Sequence, residues 1–156
     1  MTMSNGPLPS QLCLLPDLAL KKEGDKVRFL GCVTAYSSVS GILTLQHHHQ
    51  TQDSPCVAAL VDVTLVLRTL KSDQVRIGEW VNVIGYVTTV TPSPARKGSM
   101  RESEPFQARV HTQVRIRALL LWSSGPLDTQ RYDESVHALE SCPSMTAPNS
   151  ASKNGQ

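Results

Sequence analysis

A chain of 156 residues with 40% hydrophobic content has the size of one ordinary domain with tails and enough apolar material for one modest core. Its 15 Lys and Arg against 13 Asp and Glu leave a formal net charge of +2, which excludes a strong global field for nucleic acid or an acidic membrane. Aromatic residues at 4% limit how many bases side chains can stack, which argues against a strong autonomous single-strand binder.

Residues 1–9 are polar with Pro and Gly and read as a flexible leader. Ser10 then precedes Leu12, Leu14, Leu15, Leu18 and Leu20, an apolar run that Pro16 keeps from forming a regular helix. The pattern predicts a short helical turn or irregular strap laid over a core. Lys26–Tyr36 is the first strand, with Val27, Phe29, Gly31, Val33 and Ala35 on one face and Arg28, Leu30, Cys32, Thr34 and Tyr36 on the other. Ser37–Gly41 is a turn, Ile42–Gln46 pairs back as the second strand, and His47–Pro55 is a polar loop. Cys56–Val63 is the third strand. From Thr64 the period changes, and Leu65, Val66, Leu67 and Leu70 suggest a short helix or turn capped by Thr64.

The fourth strand, Gly78–Val90, sets Val81, Val83, Gly85, Val87 and Thr89 against Trp80, Asn82, Ile84, Tyr86 and Thr88. Gly85, like Gly31, removes a side chain where a curved strand bends or another backbone comes close. Thr91–Pro105 has the composition of a mobile connection. Phe106–Trp122 is the fifth strand, with Val110, Thr112, Val114, Ile116, Ala118 and Leu120 inward and Gln107, Arg109, His111, Gln113, Arg115 and Arg117 outward. Its end, Leu119–Trp122, loses the alternation and is expected to be buried on both sides. Pro126 opens a helix to about Ser141, and residues 143–156 read as a disordered tail, which leaves 10–142 as one folded unit.

Five strands, a helical element after the third, a long loop after the fourth and bent first and fourth strands match the OB-fold. The fold class expected is all-β with flanking helices: a five-stranded Greek-key barrel with a C-terminal helix. SH3-like and sandwich layouts also string together short strands, so the order alone does not decide.

Two blocks are more specific. Gly24-Asp-Lys-Val-Arg-Phe-Leu-Gly-Cys-Val33 and Gly78-Glu-Trp-Val-Asn-Val-Ile-Gly-Tyr-Val87 resemble the first-strand and fourth-strand signatures of the smallest subunit of the CST telomere-capping complex, fungal type. Leu8-Pro-Ser-Gln-Leu12 with Leu15-Pro-Asp-Leu18 resembles the leader of the same family, and the resemblance extends from Leu8 to Trp122. It implies an OB-fold subunit that docks its barrel side and terminal helix on the N-terminal OB domain of the middle CST subunit. It also implies indirect attachment to the large subunit, a nuclear location at chromosome ends, and a share in protecting single-stranded telomeric DNA.

The residues themselves suggest no cofactor, metal or catalysis. Cys13, Cys32, Cys56 and Cys142 form no Cys-x-x-Cys pair and read as free thiols of a reducing compartment. No N-terminal signal and no apolar stretch long enough for a bilayer is visible, so a soluble protein without membrane contact is expected. His47-His48-His49 has only Asp53 as a nearby further ligand and reads as the start of a solvated loop. Asp62 is expected to pair with Arg28 or Arg117, and Ala95–Ser99 lacks the spacing of a phosphate loop.

Binding residues are easier to nominate. Arg96, Lys97 and Arg101 in the fourth loop and Arg115 and Arg117 on the last strand suit phosphate contacts, with Tyr36 and Tyr86 as stacking platforms. A few such contacts give weak, salt-sensitive binding by the chain alone. In the terminal helix, Tyr132, Val136 and Leu139 follow i, i+4, i+7 spacing, with Leu127 nearby. That stripe either plugs its own barrel or docks a partner; its shortness, and the cover already offered by Leu12–Leu20, favour the partner. A stand-alone single-stranded DNA or RNA binder of the OB type is the alternative function.

Overall fold

The alternation along the strands closes into a barrel. The computed structural model describes residues 6–47, 56–92 and 111–142. Its strands are β1 (Gln11–Leu12), β2 (Lys26–Ser37), β3 (Ile42–Gln46), β4 (Cys56–Asp62), β5 (Trp80–Pro92) and β6 (His111–Ser123), followed by helix α1 (Thr129–Ser141). Neighbours run β1-β2-β3-β4-β6-β5, and β5 pairs again with β2 to close the ring. β4 and β6 are parallel, β1 lies parallel to β2, and the other pairs are antiparallel. This is the expected five-stranded Greek-key barrel, with β1 as an extra strand and one C-terminal helix.

Closure depends on two glycines. A Cβ on Gly85 would lie 2.3 Å from the Arg117 carbonyl oxygen, so only glycine lets β6 cross β5 there. A Cβ on Gly31 would meet Leu45 Cβ at 2.8 Å and Leu15 Cδ1 at 2.9 Å, so the strap reaches the core through its absence. The strap is a 3-10 turn over Leu15–Leu20 with Pro16 in its first turn, and it buries Leu15 and Leu18. Together with Phe29, Leu43, Leu45, Val61, Val83 and Ile116 these residues form the inner core.

Three register slips correct the simple alternation. A slip between Val33 and Ala35 exposes Ala35 and turns Tyr36 towards the core. A second, between Val87 and Thr89, turns Thr89 outward and packs Val90 against the core instead. The third makes Leu119 an extra residue opposite Ile84 and Gly85, so that Leu120 points out and Leu121 packs inward. Leu120 is therefore 57% exposed and not an inward residue, and Leu119, Leu121 and Trp122 are half-buried where burial on both sides was expected.

The segment after β4 forms two 3-10 turns, Thr64–Val66 and Ser72–Val75. Thr64 does not cap the first turn, whose N-cap position is Val63. Its amide donates to Asp62 Oδ1 at 3.0 Å, and its hydroxyl bonds the same oxygen. Helix α1 starts at Thr129, later than Pro126, because the Asp128 carboxylate caps it by accepting from the Arg131 amide at 3.2 Å. The expected start of the last strand at Phe106 and the tail at 143–156 lie outside the described residues.

Candidate nucleic-acid groove and partner face

Arg115 and Arg117 are two apart on β6, so both side chains stand on the barrel's outer side. Parallel pairing sets Arg115 beside Leu60 and Arg117 beside Asp62, while antiparallel pairing sets Arg115 beside Thr89 and Arg117 beside Tyr86. Leu60, Asp62, Thr89, Arg115 and Arg117, with Ile42 and Thr88, line a groove of about 240 Å³, and Tyr86 lies beside it as the register neighbour of Arg117. The groove lies on the outer faces of β3, β4, β5 and β6. The pairing of β5 with β6 ends at Pro92 and Thr112, and Arg96, Lys97 and Arg101, which follow in sequence, lie outside the described residues.

Asp62 is the one acid in this lining. The Thr64 hydroxyl and then its amide hold the carboxyl below the usual range, burial opposes them, and the Arg117 charge adds a smaller pull in the same direction. Thr64 is therefore the main partner of Asp62, in place of the arginine pairing expected from sequence. Arg28 is elsewhere, with its guanidinium 5.4 Å from the Trp122 ring centroid.

The two candidate stacking residues separate. Tyr86 is half-buried on the outer face, flanked in register by Lys26 and Arg117, with the Lys26 ammonium 6.0 Å from its ring centroid. Tyr36, turned by the bulge in β2, packs against the inner core and does not line the groove. Among the described residues no cluster of three or more His, Cys, Asp or Glu is arranged to hold a metal, and His48, His49 and Asp53 lie outside them.

A second surface runs across the outer side of β2, β5 and β6. Register places Arg28, Ile84 and Leu120 in one row and Leu30, Asn82 and Trp122 in the next. Leu30 is outward by parity yet fully buried, so something covers this end of the face. That cover is α1. His47, just past β3, has Nε2 2.8 Å from Asp133 Oδ2 and stands edge-on to Trp80 with ring centroids 5.7 Å apart. Burial raises the Tyr132 phenol above its usual pKa, with Arg28 pulling the other way.

The α1 stripe is divided. Val136 is buried on the chain's own barrel, Tyr132 is half-buried, and Leu139, the next residue of the same stripe, is 63% exposed. Leu127 in the preceding turn is exposed as well. Leu120, Ile84, Arg28 and Trp122 were not picked out from sequence as a binding face. The broken alternation at Leu119–Trp122 was visible, but its cause is a bulge that brings Leu120 out to solvent.

Closed barrel, strap and outer groove together define an OB-fold protein of the oligonucleotide-binding architecture. Within that class the chain belongs to the Ten1 family of telomere-capping CST complex subunits, whose sequence profile matches residues 1–137. The crystal structure of the S. pombe Stn1–Ten1 complex contains a chain similar to this one with a TM-score of 0.57 and 24% identity, over 88% of this chain and 98% of that one. The crystal structure of the telomere capping protein Ten1 from S. pombe gives a TM-score of 0.55 and 24% identity, over 86% of this chain and 100% of that one. At that identity the likeness establishes the fold. No curated protein matches the chain in sequence.

Proposed function

We propose that the chain is a non-enzymatic subunit of a nuclear CST assembly, docks on the middle OB-fold subunit, and within that assembly helps hold single-stranded telomeric DNA. The observation that carries the docking is the α1 stripe, which continues past its own barrel to an exposed Leu139. Family membership and the S. pombe Stn1–Ten1 complex support a Stn1-type partner. Leu139 and Leu127 are its helix-side anchors and Leu120 with Trp122 its barrel-side anchors, while Val136 and Tyr132 act by seating the helix. The large subunit is then reached through the middle one.

For DNA, Arg115 and Arg117 supply phosphate contacts in the groove, and Tyr86 at its edge supplies a ring. Arg96, Lys97 and Arg101 add charge from the connecting loop. Among the described residues Asp62 is no candidate for catalysis: a carboxylate held ionised, as it is by Thr64, is a weak proton acceptor. The test is co-purification of the full chain with the middle CST subunit. Leu120→Asp and Leu139→Asp should each abolish it with an unchanged melting temperature, and full retention by both overturns the docking. Submicromolar binding of oligonucleotide by the isolated chain would instead favour the stand-alone binder.

A further inference from the structure

On β2, Leu30 and Cys32 alternate outward from the inner residues Phe29, Gly31 and Val33, yet only 1% and 2% of their surfaces are exposed. Neither belongs to the barrel's inner core. Cys32 lies in register between Gln46 on β3 and Trp80 on β5. Just beyond Gln46, His47 stands edge-on to Trp80 and bonds Asp133 of α1. The charges acting on Tyr132, one position earlier in α1, include Arg28, Cys13 and Asp133, which sets that residue on the other flank of the same strip. Asp133 at the His47–Trp80 end and Tyr132 near Arg28 set the N-terminal half of α1 beside the strip that carries Leu30 and Cys32.

The helix is held lightly. Val136 is the sole fully buried residue of the helix. The helix has 13 residues, a length at which an isolated helix is marginal in water and depends on packing. Among the described residues, the buried Tyr132 hydroxyl and the buried Asp133 Oδ1 have no hydrogen-bond partner, so docking leaves two desolvated polar atoms unsatisfied. The connection to β6 passes through Gly125, whose φ of 67° lies in the left-handed region.

We infer that α1 is a releasable clasp: it lifts about Gly125 as a unit while the barrel stays folded, and uncovers an outer strip of β2 that includes Leu30 and Cys32. Local opening of this kind draws on the least stable part of a structure.

The cysteines report it. In the full chain under excess thiol reagent at native conditions, followed by peptide mapping, Cys142 is exposed and labels at once. Cys13 is in the inner core, its thiol pushed up to about 11 by burial, and labels on global unfolding. Cys32 should label between these two, at a rate set by clasp opening. Asp133→Ala removes the bond to His47 and should speed Cys32 labelling at least about tenfold with Cys13 unchanged. Tyr132→Phe removes the unsatisfied hydroxyl and should slow it. The acidity of the Cys32 thiol is shifted by burial and Glu79, not by Asp133, so the Asp133→Ala rate reads cover. Labelling of Cys32 in step with Cys13, or as fast as Cys142, overturns the clasp. So does a pair of variants that fails to move the rate in opposite directions.

Discussion

Replacing Arg115 and Arg117 together with Ala tests the groove through salt dependence. Each phosphate neutralised on a single strand contributes about 0.7 to the slope of log affinity against log salt, so the two groove arginines account for a slope of about −1.4. Between 50 and 200 mM salt that slope is a loss of about sevenfold in affinity, whereas engagement of Arg96, Lys97 and Arg101 as well would give about −3.5 and a loss of about 130-fold. Both arginines are exposed, and their neighbour Asp62 takes its bonds from Thr64, so the guanidinium groups are available to phosphate. Fluorescence anisotropy of a labelled single strand against the purified assembly, at four salt concentrations, gives the slope for wild type and for the double variant. The expected result is a slope shallower by about 1.4 with melting temperature preserved. An unchanged slope refutes the groove as a phosphate site, even if the assembly itself binds DNA tightly.

Gly85→Ala should destabilise the barrel by about 1–3 kcal/mol, because the new methyl meets a backbone carbonyl that can retreat only by parting β5 from β6. A drop of roughly 2–12 °C in melting temperature follows for a chain of this size, and a drop under one degree contradicts the close crossing. Leu15→Ala removes a buried strap residue and should cost about 2–5 kcal/mol in chemical denaturation, while Leu20→Ala at the exposed end of the same turn should be nearly silent. Asp62, with its folded pKa lowered, contributes stability that is present above its unfolded value and lost as pH falls through the folded one. Thr64→Val should therefore narrow the stability difference between neutral and acid pH in urea titrations, and an identical acid loss would rule out that bond as its source.

The sequence was most legible where one physical cause acts alone. Val81, Val83 and Val87 alternate because one face of β5 meets the core, and Gly31 and Gly85 stand where neighbours approach too closely for a Cβ. Bulges are harder, because an added residue changes parity without changing composition. Thr34, Thr88 and Leu119 look like ordinary strand residues, yet from each onward the faces exchange, and this moved Tyr36, Thr89 and Leu120 to sides opposite those expected.

The candidate site inherits the same limit. Arg115 and Arg117 could be paired on the groove from strand parity alone, because the slip opposite them adds its extra residue to β5 and leaves the parity of β6 intact, whereas Leu120 turned outward through the extra residue Leu119, two positions after Arg117. The helix stripe shows a different one: i, i+4, i+7 spacing says that Tyr132, Val136 and Leu139 share a face but not how far the barrel extends beneath it. Only the fold shows Val136 covered and Leu139 left open, and that division makes one part of a continuous stripe the seat of the helix and the other the surface proposed above for a partner.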